Sequence, residues 1–298
     1  MKQIKIAGFK ADTSPDDKPA VNIFGETNTG RSRFTCTMPH ENGVIGYIPL
    51  DKNTLRTIHE YQETHPGIQI LIPEKPFIDA KSEIEIAMLD SGTAADRGKV
   101  MAAYTERTKR IFEFGMRLAE HPDVESIAVD ASQLFDFILF SHFGRRNQIE
   151  SYMRGAPNQE MIDFVSALRF KNVCWVHRAG EIWADTGEVD KDGKKKQSPT
   201  GRFKPDGCAK IAYSMTATLQ FLALRKKGLE LDTKYSVQVM ACKGNTLLEG
   251  QTLNEYGVVE AMSSTYISSD WKDVVVFVLF LAVLLLRPQG LFGKKGEQ

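Results

Sequence analysis

Apolar and polar positions follow two rhythms along this chain. Short runs rich in β-branched residues predict strands over 20–24, 44–48, 68–72, 126–129, 172–176 and 236–241. Between them, apolar residues recurring at helical spacing predict helices over 31–38, 54–64, 96–120, 134–143, 158–170 and 211–225. Strands alternating with helices predict an α/β fold: a mainly parallel sheet covered by helices in three layers. Two segments break the rhythm. Residues 185–206 are rich in Gly, Lys, Asp and Pro without an apolar period, which predicts a mobile loop or a β-hairpin. Residues 274–286 (VVVFVLFLAVLLL) are apolar on every face, unlike anything before them.

The first strand runs into Gly25-Glu26-Thr27-Asn28-Thr29-Gly30-Arg31-Ser32, which matches a phosphate-binding P-loop at every fixed position except Arg31, where the motif has lysine. In such a loop glycines let backbone N–H groups wrap phosphates, the lysine reaches the outer phosphates and the hydroxyl residue holds magnesium. Strand, loop and helix in that order are the context the motif requires, and the helix start adds N–H donors and a positive dipole end. A bare Gly/Thr/Asn turn explains two glycines and a serine, but not their spacing. The expected cofactors are therefore ATP and Mg2+, with Gly25 to Ser32 as the nucleotide cradle.

An acidic residue at the end of a neighbouring strand completes such a site, and SIAVD supplies Asp130. Asp130 with Ser32 would hold the metal; alternatively, Asp130 caps the helix that follows. The strand at 172–176 ends in His177-Arg178, polar groups placed to sense a γ-phosphate. Glu26 and Gln133 are the candidates to activate water, and the sequence does not separate them. Arginine at position 31 keeps the charge, but its planar guanidinium is bulkier and aimed differently from an ammonium. Binding is expected to survive this change better than turnover, so the chain is an ATPase only if Arg31 permits hydrolysis.

Composition narrows the setting. At 298 residues and 42% hydrophobic content the chain buries a real core. Lys+Arg and Asp+Glu are equal at 38 each, so no bulk field recruits nucleic acid or anionic membrane. Cys36, Cys174, Cys208 and Cys242 lie far apart without a CxxC, which disfavours zinc and reads as reduced thiols of a cytosolic protein. The N-terminus lacks the apolar stretch of a secretory signal.

The stretches FGETNTGRS (24–32), SIAVDASQLFD (126–136), RGAPNQEMIDFVSAL (154–168), NVCWVHRAGEIW (172–183) and TGRFKPDGCAKIAYSM (200–215) together resemble phage-type AAA-family P-loop ATPases with a RecA-like core. The resemblance covers residues 1 to about 256. It implies ATP as the nucleotide and a role in DNA recombination or replication, with single-stranded or replicating DNA as a partner and a homo-oligomer as a compatible assembly. Similar proteins carry lysine at the position of Arg31 and aspartate at that of Asp130. The basic groups available for DNA are Arg145-Arg146 and Lys194-Lys195-Lys196.

From about Gly257 onward the chain is instead similar to the C-terminal end of permease subunits of branched-chain amino acid ABC transporters, RPQGLFG being the most specific part. Thirteen apolar residues span about 20 Å as a helix, short of a hydrocarbon core of about 30 Å. Trp271 and Lys272 on one side and Arg287, Lys294 and Lys295 on the other can extend the segment by snorkelling, so residues 271–287 are expected to insert in a membrane. The run 247–251 (LLEGQ) resembles an ABC signature loop, but it comes more than a hundred residues after Asp130 rather than just before it. The chain thus reads as two parts: a P-loop domain over 1–256, expected in the cytoplasm, and a permease-like tail over 257–298.

Overall fold

A computed structural model describes residues 18–27, 29–40, 43–77, 94–147, 149–189, 195–224, 234–243 and 246–253. The predicted tail helix, the boundary near residue 256, Asn28 and Lys194 lie outside these residues.

The strands are β1 (Ala20–Gly25), β2 (Val44–Ile48), β3 (Gln69–Leu71), β4 (Ser126–Asp130), β5 (Asn172–Val189), β6 (Lys195–Pro205), β7 (Ala217–Leu224), β8 (Lys234–Cys242) and β9 (Thr252–Leu253). The α-helices are α1 (Arg31–Thr35), α2 (Lys52–Thr64), α3 (Ala94–Glu120), α4 (Ala131–Phe143) and α5 (Gly155–Ala167). The sheet runs β3-β2-β4-β5-β1-β7-β8-β9, with β6 paired to β5. All pairings from β3 to β7 are parallel, and those to β6, β8 and β9 are antiparallel. The result is a mixed α/β sheet that is mostly parallel.

Alternate residues of the central strands feed two cores, as the two-residue period of a strand demands. Ile127, Val129, Val173 and Trp175 pack with α3, α4 and α5 on one face. Ala128, Cys174, Val176, Ile45 and Tyr47 pack towards α1 and α2 on the other, where Ile58 and Tyr61 close the layer. Because both faces are covered, these strands read as nearly continuous apolar runs, which is why their bounds were legible. All four cysteines are buried and none forms a disulfide among the described residues.

One expectation changes, and one open alternative is decided. Residues 211–225 were expected to be helical, since Ala, Leu, Met and Gln favour helix. The structure has a 3-10 turn over Ala209–Ser214 and then strand β7, hydrogen-bonded to β1 on one side and β8 on the other. Leu219 and Phe221 fill the α1/α2-side core, and burial between two strands outweighs local propensity. Within 185–206 the hairpin is the form adopted: β5 continues from the sheet through Val189 and pairs with β6, with register shifts after Glu181 and Asp185. Among the described residues, no helix is long and apolar enough to cross a membrane.

Candidate functional site

The parallel order positions the site. β5 lies between β1 and β4, so the C-terminal ends of β1 and β4 stand on either side of residues 176–178, where the parallel pairing of β5 ends and the strand runs on into the hairpin. In open α/β sheets this edge, at the point where strand order reverses, is where ligands bind. Gly25 at the end of β1 pairs with Arg178 of β5, and Asp130 at the end of β4 pairs with Val176.

The loop after β1 is tightly made. A Cβ on Gly25 would stand 2.5 Å from the Phe221 carbonyl oxygen and 2.8 Å from Thr29 Oγ1, so only glycine lets β1 approach β7 this closely. Thr29 Oγ1 donates to the Glu26 carbonyl at 2.9 Å. Gly30 then turns the chain into α1 with φ 84°, a left-handed conformation that L side chains rarely adopt. With five residues, α1 contributes little dipole, so the loop backbone and the converging side chains make the site.

A cavity of about 410 Å³ opens over this loop. Thr27, Thr29, Gly30, Arg31 and Ser32 line it from the loop, and Asp130, Gln133 and His177 from across the sheet. Glu26 is exposed and is not among the lining residues, although its carbonyl anchors the loop. Between the two candidates for water activation, only Gln133 therefore borders the cavity.

Arg31 is folded against the protein. Its Nη1 donates to the His177 carbonyl and its Nη2 to the Glu26 carbonyl at 3.3 Å, bridging the loop to β5. Burial lowers its guanidinium from the ordinary value, and the Asp130 charge opposes that effect.

Asp130 is 5% exposed. It occupies the N-cap position of α4 but makes no side-chain cap hydrogen bond. Its Oδ2 accepts the Leu50 N–H at 2.7 Å, and its Oδ1 lies 3.5 Å from the Tyr47 hydroxyl. Burial pushes its pKa up to about 7, assisted by the charge of Asp51, while the Leu50 N–H, Thr54 and Arg31 work against the rise. A buried carboxylate held near neutrality in this way is one whose charge a divalent cation would stabilise. Ser32 lines the same cavity, its Oγ 3.5 Å from Thr54 Oγ1. Hydroxyl and carboxylate oxygens are hard donors, the chemistry that suits magnesium.

The His177 imidazole is 1% exposed: Nδ1 lies 3.0 Å from the Asp206 carbonyl, to which its N–H donates, and Nε2 lies 3.2 Å from the Asn22 side-chain amide, which in its flipped orientation donates to the neutral ring. Burial pushes its pKa down to about 4, so the ring is neutral near pH 7. Its neighbour Arg178 stands at the cavity wall and pairs with two carboxylates, Asp136 at 2.7 Å and Asp206 at 3.0 Å. Burial alone would lower the Arg178 guanidinium, but these carboxylates outweigh it and raise it above the ordinary value.

Asp51, Thr54, Asp136 and Asp206 were not singled out from the sequence. Asp51 and Thr54 carry one available signal, since they directly follow β2, another parallel strand ending at the same edge. Of the basic groups considered for DNA, Arg146 pairs with Asp136 at 2.9 Å and Lys196 with Glu188 at 3.1 Å.

No protein-family model matches the chain. A stretch of 38 residues in the C-terminal region, 13% of the chain, is 53% identical to the high-affinity branched-chain amino acid transport system permease protein LivH of Salmonella typhimurium. It is 50% identical to the protein of the same name in Escherichia coli K12. The chain spans only 12% of the length of these relatives.

Proposed function

We propose that the described domain binds a magnesium–nucleoside triphosphate at the C-terminal edge of its sheet, and that it turns the nucleotide over slowly. The sheet order is compatible with a RecA-like P-loop core, and the sequence resemblance points to ATP and to a task in DNA recombination or replication. The observation that carries the reading is that Arg31, Ser32, Asp130 and Gln133 line one cavity of about 410 Å³, although Ser32 and Asp130 are nearly a hundred residues apart. Magnesium held by Ser32 and Asp130 would neutralise phosphate charge. Gly25 and Gly30 keep the loop backbone open to the phosphates, and the Gln133 amide can orient water.

Slow turnover follows from Arg31. Its guanidinium spends donors on the carbonyls of His177 and Glu26, so contact with a phosphate requires those bonds to be exchanged. Losing roughly 3 kcal/mol of transition-state contact slows a reaction on the order of a hundredfold. A nucleotide-dependent binding module without turnover is the limiting form of this reading. Titration calorimetry with Mg·ATP, together with phosphate release with and without single-stranded DNA, tests it in the chain and in Arg31→Lys. Absence of Mg·ATP binding in both proteins refutes the site.

The tail supports a separate assignment. Its likeness to LivH over 38 residues favours attachment of residues 271–287 to a membrane, without transport by so short a segment. Retention of the full chain in the membrane pellet after carbonate washing is expected, and full release into the supernatant refutes it.

A further inference from the structure

We infer that Arg178, rather than Arg31 or His177, is the group that reads the terminal phosphate, and that it does so by leaving the carboxylate at the base of the β5–β6 hairpin. The inference rests on the nucleotide site proposed above and names the residue that sets its preference for triphosphate over diphosphate.

The choice follows from how each candidate is occupied. The His177 imidazole is buried, its Nδ1 facing the Asp206 carbonyl and its Nε2 the Asn22 side-chain amide, so neither nitrogen faces the cavity alone. Arg31 is tied to backbone carbonyls that hold the loop to β5. Arg178 differs in kind, because its partners are the anionic oxygens of Asp136 and Asp206. A phosphate offers anionic oxygens to the same planar fork, so one charge-assisted pair replaces another. Its side chain is 35% exposed, which leaves room for such an exchange.

Position supports the same residue. Arg178 is in register with Gly25, the first residue of the P-loop. It also lies in the wall between the nucleotide cavity and a second one of about 460 Å³, which share Asp51, Asn53, Gln133 and Arg178.

The swap has a built-in recipient. Asp206 directly follows β6, and its backbone is pinned to the sheet: its N–H donates to the Arg178 carbonyl at 2.9 Å, and its own carbonyl accepts Ser132 Oγ at 2.5 Å and faces His177 Nδ1. The bonds from Arg178 Nε and Nη2 to the Asp206 carboxylate are the side-chain half of this clamp. Asp136 does not need Arg178, because Arg146 also donates to its Oδ2 at 2.9 Å. When a terminal phosphate draws the guanidinium away, it is therefore the hairpin that loses a tether. Trp183, 54% exposed, projects from that hairpin.

The test measures affinities of the full chain for Mg·ADP and Mg·ATPγS, with hydrogen exchange followed over 179–189 and 195–205. The parent protein should prefer ATPγS by about tenfold or more, the value of one charge-assisted hydrogen bond, and ATPγS but not ADP should speed exchange in the hairpin. Arg178→Gln should abolish the preference while leaving ADP affinity within about twofold, and its hairpin should exchange quickly with or without nucleotide. Asp206→Asn, which removes the competing carboxylate, should increase the preference, and the increase should vanish in the Arg178→Gln background. Should Arg178→Gln fail to fold, Arg178→Lys and Asp206→Asn carry the test. An unchanged ATPγS/ADP ratio in Arg178→Gln, an equal loss of both ligands, or no response to Asp206→Asn overturns the assignment of Arg178. A parent chain that binds neither nucleotide overturns the site itself.

Discussion

Replacing Asp130 by asparagine should stabilise the protein at neutral pH while removing the carboxylate proposed to hold metal. The carboxyl is buried, and its pKa rises from 3.8 to about 7 on folding. The folded state therefore binds the proton more tightly than the unfolded state does. Stability from this group is fully present below pH 3.8, falls as pH climbs through 7, and is level above that. A shift of about three units corresponds to ~4 kcal/mol at most. The carboxamide can still accept the Leu50 N–H, but it leaves an NH2 to place near Tyr47, so a net gain of ~2–4 kcal/mol at pH 8 is expected. Comparison with the parent chain is essential, because buried His177, pushed down to about 4, titrates in the opposite sense: its contribution is lost as pH falls from 6.5 to 4. In the parent the two slopes largely cancel between pH 4 and 6.5, whereas Asp130→Asn exposes the histidine slope alone. Urea unfolding in EDTA at pH 5, 6, 7 and 8 gives the gap between the two proteins. A gap that stays constant across this range shows that Asp130 does not titrate with the shift its burial requires.

Other outcomes follow from the same geometry. Arg31→Lys should raise phosphate release on the order of a hundredfold while changing Mg·ATP affinity much less, and equal changes in both would contradict the view of Arg31 as misaimed rather than absent charge. Gly25→Ala should drive β1 from β7, costing at least ~1–3 kcal/mol in chemical denaturation, because its Cβ meets the Phe221 carbonyl at 2.5 Å. Gly115→Ala on α3 would press a methyl group to 2.6 Å from the Phe164 ring, so despite better helix propensity it should lower the melting midpoint; a higher midpoint would show that the ring moves freely.

What could be read from the sequence followed the range over which each signal acts. The glycine-rich motif is local: its letters are spaced by the backbone turn they make, and Gly25, Gly30 and Ser32 sit in that turn. Asp130 was legible as the polar end of an apolar run, and its burial against Leu50 and Tyr47 excludes the capping role that its position also allowed. The misread stretch 211–225 carries residues that favour helix in isolation, and only the edges of β1 and β8 make it a strand. The Arg178 cluster was the least accessible. Arg178 meets Asp136 and Asp206 from 42 and 28 residues away, in opposite directions along the chain, and no period or spacing announces such a meeting.

The bridge made by Arg31 also bears on how the fold depends on its ligand. A cradle of converging N–H groups is usually completed by the anion it binds, and the stability of such a protein then rises and falls with ligand concentration. Here the guanidinium joins the carbonyl of Glu26 to that of His177, tying loop to sheet from within. On the proposed reading, bound nucleotide would still add stability in proportion to its concentration, but the tie between loop and sheet comes from the chain's own guanidinium and so does not wait for a ligand to form.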